Sequence, residues 1–226
     1  MMIYQNLIEK TPYLYYFCTL KNLLSILEYG ILSRNKAIEV GVFNSSEDWS
    51  NKGIQNYRHN RVIELSDGVK RGIHDLVCTF FTPFNTTIYK AQEILQNNGF
   101  DYRSQSVVLA ISIKDIFNNK ESLAFAFSDR NVGASPENVN TFNKLDDINK
   151  LDWKVINEHY KKFDNYYNST FRNWAAKKSA EFLIYESIEV NTISSILCSN
   201  EVLQSKLKKS TSIPIQIYPK IELYEN

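Results

Sequence analysis

The chain has 226 residues, 43% hydrophobic and 13% aromatic, and no stretch resembles a linker, so we expect a single domain over residues 1–226. A net charge of only +1 excludes nucleic-acid binding through a strong overall positive field, so any such binding must use local patches. The three widely spaced cysteines argue against a disulfide framework, and the lack of a long apolar run argues against a membrane partner. Together these observations predict a cytoplasmic protein.

The first predicted elements are a strand and an amphipathic helix. Residues 13–17 (YLYYF) are aromatic and predict a strand. Thr19 then fits a helix N-cap, the leucines that follow have helical spacing, and Gly30 fits the C-terminal end. We therefore predict a strand, a tight corner and a helix over residues 13–30.

The middle of the chain contains a long polar segment followed by two apolar runs. Residues 35–71 are polar and rich in glycine, which indicates an irregular segment with one short helix near residues 54–62. The apolar runs at residues 76–81 and 107–113 predict two strands, and residues 90–97 between them predict a helical turn.

The rest of the sequence predicts further short strands and helices. They are a strand at 123–127, turns at 128–140, a helix from 151 to 163 that continues to 176, a strand at 181–185, a helix at 192–198 and a strand at 213–218. This irregular order lacks the regular spacing of a doubly wound parallel sheet and favours an α+β fold.

Sequence motifs of common nucleophile, phosphate and zinc sites are missing. There is no GxSxG, Walker loop, GxGxxG or HExxH sequence. The three histidines lie on different segments, so we expect no metal site. Any chemistry must therefore come from polar residues at the ends of strands and helices.

Glu181 opens an otherwise apolar strand, and two interpretations are open. It could be a strand-end residue with its carboxylate in solvent, since glutamate is rarely buried without a partner. Alternatively, the strand could hold it at the lip of a cleft, where a carboxylate stabilises a cationic transition state. Lys177 and Lys178, just before it, could attract a polyanion.

Two further sets of polar residues also allow two interpretations. Thr19 and Asn22 read as a helix cap and a first-turn residue, but a helix N-terminus after a strand also suits a pyrophosphate. Arg58 and Arg61 lie in a polar segment, where solvation is the default and a phosphate or base contact is the alternative.

Four segments in order resemble the DarT family, the DNA ADP-ribosyltransferase toxins of DarT–DarG toxin–antitoxin systems. They are FCTLKNLLSILEYGILSR, IHDLVCTFFTPFNTTIY, FSDRNVG, and LDWKVI followed by KKSAEFLIYESI. Each segment alone is modest evidence, and four in the right order are fairly specific. The resemblance implies an ADP-ribosyltransferase-like domain with a split central β-sheet flanked by helices.

The resemblance also implies site residues. Glu181 aligns with the catalytic glutamate, and Arg58 is a better match than Arg61 to the family's functional arginine, which would be catalytic and contact NAD. The other residues that would contact NAD are Thr19, Asn22, Gly30, Leu32 and Phe81. The residues that would meet substrate DNA, partly on a loop at residues 128–136, are Asp129, Arg130, Asn131, Lys177 and Lys178.

The chain departs from the family pattern at several positions. Thr19 replaces the usual histidine of the first segment, so a small hydroxyl stands where a ring that can stack is expected. In the second segment Cys78, Phe80 and Phe84 replace a proline, a tyrosine and an arginine. These changes suggest a divergent branch, whose modified base could be guanine or thymine.

The resemblance implies an enzyme that transfers ADP-ribose from NAD to a base of single-stranded DNA, without a metal. A carboxylate near the ribose would stabilise the oxocarbenium-like transition state, and the base must be unpaired to react. The implied partners are single-stranded DNA and a DarG-like macrodomain antitoxin, with the toxin a monomer. The alternatives are transfer to RNA or protein, and an inactive module that binds NAD or nucleic acid.

Overall fold

The structure, a computed structural model, describes residues 4–43, 60–119, 122–133, 139–159 and 169–218. The α-helices in this part of the chain are α1 Gln5–Lys10, α2 Leu20–Tyr29, α3 Arg34–Glu39, α4 Thr86–Asn97, α5 Tyr102–Gln105, α6 Ile113–Asn119, α7 Trp153–Asn157, α8 Ser169–Lys178 and α9 Glu201–Leu207, and short 3-10 helices lie at Ile73–Asp75, Leu145–Lys150 and Val190–Thr192. The strands are β1 Tyr13–Thr19, β2 Ile31–Leu32, β3 Val62–Glu64, β4 Lys70–Gly72, β5 Leu76–Phe80, β6 Ser106–Ser112, β7 Phe125–Ser128, β8 Thr141–Phe142, β9 Glu181–Tyr185, β10 Ser187–Ile188, β11 Ile193–Cys198 and β12 Ile215–Ile217. The fold is α+β, as the sequence predicted.

A large mixed sheet consists of two halves that meet at one residue pair. Its strand order is β12-β11-β6-β1-β5-β9-β7-β8, and among the described strands only β11 and β12 pair in parallel. β1 pairs with β6 along all of Tyr13–Thr19, but it pairs with β5 only where Tyr15 lies opposite Phe80. The split central sheet implied by the family resemblance is therefore confirmed.

The corner between β1 and α2 forms as its sequence predicts. Thr19 is the N-cap of α2, and its hydroxyl accepts a hydrogen bond from the backbone N–H of Asn22 at 3.3 Å. Gly30 ends the helix with a φ of 79°, in the left-handed region that favours glycine. β2 follows directly and pairs with β10, so Gly30 passes close to the backbone of Ile188.

β9 alternates between two sides of the sheet. Phe182 and Ile184 belong to the main hydrophobic core, and the Phe182 ring stacks on Phe125 with centroids 5.4 Å apart. Leu183 belongs to a separate core cluster. Because side chains alternate along a strand, Glu181 lies on the same side as Leu183. The aromatic core thereby fixes the direction of Glu181.

Several predicted elements are confirmed, and one predicted helix is a strand. The strand at 181–185 and the helix from Thr19 to Gly30 have the predicted bounds, give or take a residue. The helix predicted at 192–198 is the strand β11, because β6 and β12 pair with it on both sides. The short helix predicted near 54–62 lies largely outside the described residues, and its end at Val62 begins the hairpin of β3 and β4.

No helix in the parts of the chain that the structure describes has the length and apolar character needed to cross a bilayer.

Gly30→Ala tests the tight passage beside β10. We expect it to lower the free energy of unfolding by about 2 to 3 kcal/mol, because alanine is strained at this φ and its Cβ would overlap the carbonyl oxygen of Ile188. Gly68→Ala is the matched control, since Gly68 has a φ of 76° with no atom within 4 Å of an added Cβ. Urea denaturation of both variants measures the difference, and equal losses would contradict the close approach.

Candidate active site

Glu181 is fully buried at the start of β9, with 0% exposure. Its Oε2 accepts a hydrogen bond from the backbone N–H of Val132 at 2.7 Å, and its Oε1 accepts one from the side-chain amide of Asn131 at 3.2 Å. Its own N–H donates to Ser128 Oγ at 3.3 Å. The solvated interpretation of Glu181 is therefore wrong, because the turn after β7 holds its carboxylate.

Asn131 links Glu181 to a neighbouring helix. Its Nδ2 also donates to Thr87 Oγ1, in the first turn of α4, at 3.1 Å, and its Oδ1 accepts from the N–H of Gly133 at 2.8 Å. The residue is only 5% exposed. Its amide therefore faces Glu181 and α4, and the expected contact of Asn131 with DNA stays a prediction.

Asp129 and Arg130 lie in the same turn but nearer the surface. Asp129 accepts two hydrogen bonds from Asn140, from the backbone N–H at 3.0 Å and from the side-chain amide at 2.8 Å. The Nε of Arg130 lies 3.4 Å from a carboxylate oxygen of Asp129. The role of these half-buried groups in DNA recognition stays a prediction, and residues 134–136 of the predicted loop lie outside the described residues.

One of the two candidate arginines is next to this turn. Nη1 of Arg61 donates to the carbonyl oxygen of Val132 at 3.2 Å. Since the N–H of Val132 donates to Glu181, one peptide segment connects the guanidinium to the carboxylate. Arg58, the better match in sequence, lies outside the described residues.

A cleft of about 300 Å³ opens where the two halves of the sheet diverge. Beyond the single pair of β1 and β5, Tyr16 of β1 lines one side, and residues 76–78 of β5 line the other. The other described lining residues come from α2, β2, α3 and the segments beside them: Asn22, Ser25, Ile26, Tyr29, Gly30, Ile31, Leu32, Arg34, Ala37, Val42, Phe43, Ile73 and His74.

Polar contacts fix α3 against this cleft. The side-chain amide of Asn35 donates to Asp75 at 2.6 Å, and Lys36 forms an ion pair with Glu186 at 3.0 Å. Next to them the guanidinium of Arg34 lies 4.6 Å from the centre of the Phe43 ring, and both residues line the cleft. The planar cation of Arg34, beside an aromatic ring and these polar contacts, suits an anionic ligand with flat rings.

Strand register relates Glu181 to the cleft. Cys78, which lines the cleft, lies opposite Leu183, and Phe80 lies opposite Glu181. Glu181 is therefore two residues farther along the same pair of strands, and on the same side as Leu183. It is not among the described residues that line the cleft, so it lies beyond one end of it.

The described residues contain no group of three or more histidine, cysteine, aspartate or glutamate side chains able to hold a metal ion.

A sequence profile described as "ssDNA thymidine ADP-ribosyltransferase, DarT" matches residues 15–224, which is nearly the whole chain. The chain belongs to the DarT family.

Solved DarT structures have the same fold. DarT of Thermus sp. 2.9 in complex with ADP-ribosylated ssDNA is 19% identical, with a TM-score of 0.71 over 92% of this chain and 94% of that chain. The same protein in complex with NAD+ has a TM-score of 0.65 over 92% and 95%. DarTG of Thermosipho africanus in complex with ADP-ribose is 20% identical, with a TM-score of 0.71 over 92% of this chain and 50% of that chain. No curated protein sequence matches this one.

The residues expected to contact NAD in this DarT protein divide into two groups. Asn22, Gly30 and Leu32 all line the cleft, and Thr19 caps the helix that carries Asn22. Phe81 instead packs edge-on against Trp153, with centroids 5.3 Å apart, and it is buried in the main core. The expected contact between Phe81 and NAD is corrected, because that ring is a core residue.

The two lysines before Glu181 have different surroundings. Lys177 pairs with Asp152 at 2.9 Å and stays partly exposed. Lys178 is 1% exposed, and its ammonium donates to the carbonyl oxygens of Val155, Ile156 and Glu158 at the end of α7. Burial lowers the pKa of Lys178 to about 8. Its expected contact with DNA is therefore wrong, and Lys178 supports the fold.

Sequence reasoning missed several residues of this region. Arg34, His74 and Tyr29 line the cleft, but the sequence pattern did not single them out as site residues. Arg34 follows Ser33, which caps α3 by accepting from Lys36, and a basic residue at a helix start beside a glycine corner was the available signal. Val132 acts through its backbone N–H, which no side-chain pattern could reveal.

Lys178→Met and Lys177→Met separate these two roles. We expect Lys178→Met to reduce the free energy of unfolding by about 1 to 3 kcal/mol, because three buried or partly buried carbonyls lose their common donor. Lys177→Met removes a partly exposed ion pair and should cost less than about 1 kcal/mol. Urea denaturation at pH 7 compares the two, and equal or reversed losses would contradict the buried role of Lys178.

Proposed function

We propose that this protein transfers ADP-ribose from NAD to a base of single-stranded DNA, with Glu181 as the catalytic carboxylate. The observation that carries the proposal is a buried glutamate held by two N–H donors beside the end of a cleft, in a chain of the DarT family. DarT of Thermus sp. 2.9 is described in complex with NAD+ and with ADP-ribosylated ssDNA, which supports both substrates.

The cleft between the half-sheets would bind the donor. Asn22, Gly30 and Leu32 line it together with Arg34, whose guanidinium would neutralise the donor phosphates. Thr19 does not reach the donor in this proposal. Its hydroxyl holds the first turn of α2, so Thr19 would keep Asn22 in place where other family members have a histidine.

Glu181 would act when the bond between nicotinamide and ribose breaks. Its carboxylate would accept a hydrogen bond from a ribose hydroxyl and stabilise the positive charge that develops on the sugar. A ring or exocyclic nitrogen of the base then bonds to the ribose carbon that nicotinamide leaves, and the base loses one proton. An electrostatic role of this kind needs a carboxylate of fixed direction, which the bonds from Val132 and Asn131 provide.

Asp129 and Arg130 would contact the acceptor strand, and Lys177 would add a nearby positive charge. Asp129 and Arg130 belong to the turn that holds Glu181, so they lie close to the reacting centre. The family description favours thymine over guanine as the modified base. The match to DarTG supports a DarG-like antitoxin as the partner. In this proposal the toxin is a cytoplasmic monomer of one domain.

Mass spectrometry of oligonucleotides incubated with NAD tests the function. We expect the wild type to add ADP-ribose to a thymine-containing single strand, and Glu181→Gln to reduce the rate by about 1,000-fold or more, because the neutral amide does not stabilise the developing cation. Guanine-only strands, duplex DNA, RNA and protein serve as the other acceptors.

The outcomes of this experiment separate the alternatives. Labelling of RNA or protein but not DNA would favour a different acceptor. NAD binding without release of nicotinamide would favour an inactive module, in which Thr19 has replaced a required histidine. Equal DNA labelling by the wild type and Glu181→Gln would contradict the role of the carboxylate.

Arg58→Lys and Arg61→Lys distinguish the two arginines. We propose that Arg58 contacts the reacting groups, so Arg58→Lys should lower the transfer rate by about 100-fold and leave the melting temperature unchanged. Arg61 binds the carbonyl of Val132, so Arg61→Lys should lower the melting temperature, with a smaller loss of rate. Transfer rates and thermal unfolding measured in parallel would show the reverse pattern if Arg61 were the reacting arginine.

A further inference from the structure

The carboxylate of Glu181 is held by two donors of different kinds. Val132 holds Oε2 with a backbone N–H, whereas Asn131 holds Oε1 with a side-chain amide. The last torsion of a glutamate side chain is normally broad, because it joins a tetrahedral carbon to a planar carboxylate. These two donors at fixed positions restrict it to one orientation, and of the two the Asn131 contact depends on a side chain.

We infer that Asn131 is a positioning residue that sets the orientation of the Glu181 carboxylate, an inference that rests on the proposed transferase function. Asn131 does not touch the reacting atoms in this assignment. It acts through Glu181, and it does so from the turn that carries the proposed DNA contacts.

The amide of Asn131 is itself held on two sides. Its Oδ1 accepts from the N–H of Gly133, so the orientation of the amide is fixed and its Nδ2 faces Glu181. The same Nδ2 reaches Thr87 on α4. The N–H of Thr87 donates to Ser179 Oγ at 3.2 Å, two residues before Glu181. The start of α4, the turn after β7 and the start of β9 are therefore joined by hydrogen bonds into one frame around the carboxylate of Glu181.

Several charged groups on the elements around this frame pair with other described residues. The guanidinium of Arg61 binds the carbonyl of Val132, and Asp129 and Arg130 pair with each other in the same turn. The hydroxyls of Thr87 on α4 and of Ser179 before β9 belong to the frame, and the charged side chains of α4, Lys90 and Glu93, pair with each other. A second carboxylate placed at residue 131 would lie beside Glu181, because Nδ2 of Asn131 is 3.2 Å from Oε1 of Glu181.

Asn131→Ala and Asn131→Asp test the inference, with Asn143→Ala as the control. The amide of Asn143 is also partly buried, but it donates to the carbonyl of Leu65 at 3.2 Å. For Asn131→Ala we expect kcat for DNA labelling to fall by about 10- to 100-fold, because a misplaced catalytic group loses rate steeply. The KM values for NAD and for the oligonucleotide should stay within about twofold, because substrate binding is not altered.

Asn131→Asp puts two carboxylates about 3 Å apart, and they cannot both be charged at low cost. Protonation of the pair then moves to higher pH. We expect the acidic limb of the pH–kcat profile to shift upward by about one unit or more relative to the wild type. Aspartate keeps the shape of asparagine and the bond from Gly133, so this variant tests the inference even where the alanine variant does not fold.

These experiments distinguish a failure of the positioning role of Asn131 from a failure of the proposed function. A wild type that labels no acceptor overturns the function itself. If the wild type is active, a kcat and a pH profile of both Asn131 variants that match those of Asn143→Ala overturn the positioning role. A rise in KM for the oligonucleotide with kcat unchanged also overturns it, because it assigns Asn131 to DNA binding.

Discussion

The pairing of Tyr15 with Phe80 is the only ladder contact between the two halves of the described sheet, and the position of the cleft depends on it. β1 is bonded to β6 along seven residues, and β5 is bonded to β9 along five. Each half therefore pairs one edge of its inner strand, β1 or β5, with backbone hydrogen bonds that do not involve the other half. Where β1 and β5 separate, backbone and side chains of both strands become available to a ligand instead of to each other.

The alternation of β9 converts core packing into the direction of a functional group. The Phe182 ring stacks between the rings of Phe125 and Phe127, which makes a slip of one residue costly. With Phe182 fixed in the core, Glu181 must lie on the other side. A buried carboxylate is unfavourable unless it is hydrogen-bonded, and the turn after β7 supplies the donors. Packing and hydrogen bonding thus select the same position.

Features coded by nearby residues could be predicted from the sequence. The strand at Glu181 and the helix between Thr19 and Gly30 depend on local patterns and caps, and both form as predicted. The helix predicted in place of β11 was wrong because partners distant in the sequence decided its structure. The family resemblance gave the split sheet, which no local pattern contains.

The site residues were harder to predict because neighbours in sequence need not share an environment. Lys177 and Lys178 were expected to act together, but consecutive residues of a helix point about 100° apart. One ammonium therefore reaches Asp152 near the surface, and the other reaches three carbonyls at the end of α7. The Val132 contact spans 49 positions and uses a backbone group, so it becomes visible only in three dimensions.

The turn after β7 joins two functions that an ADP-ribosyltransferase must coordinate. Asn131 and Val132 point inward and hold Glu181, while Asp129 and Arg130 in the same short turn lie nearer the surface. The hydroxyl of Ser128 bridges the two parts, since it donates to the carbonyl of Arg130 and accepts from the N–H of Glu181. A DNA base bound by this turn would therefore contact the structure that orients the carboxylate. If the proposed roles of Asp129, Arg130 and Glu181 are correct, six consecutive residues, 128–133, connect acceptor recognition with activation of the donor.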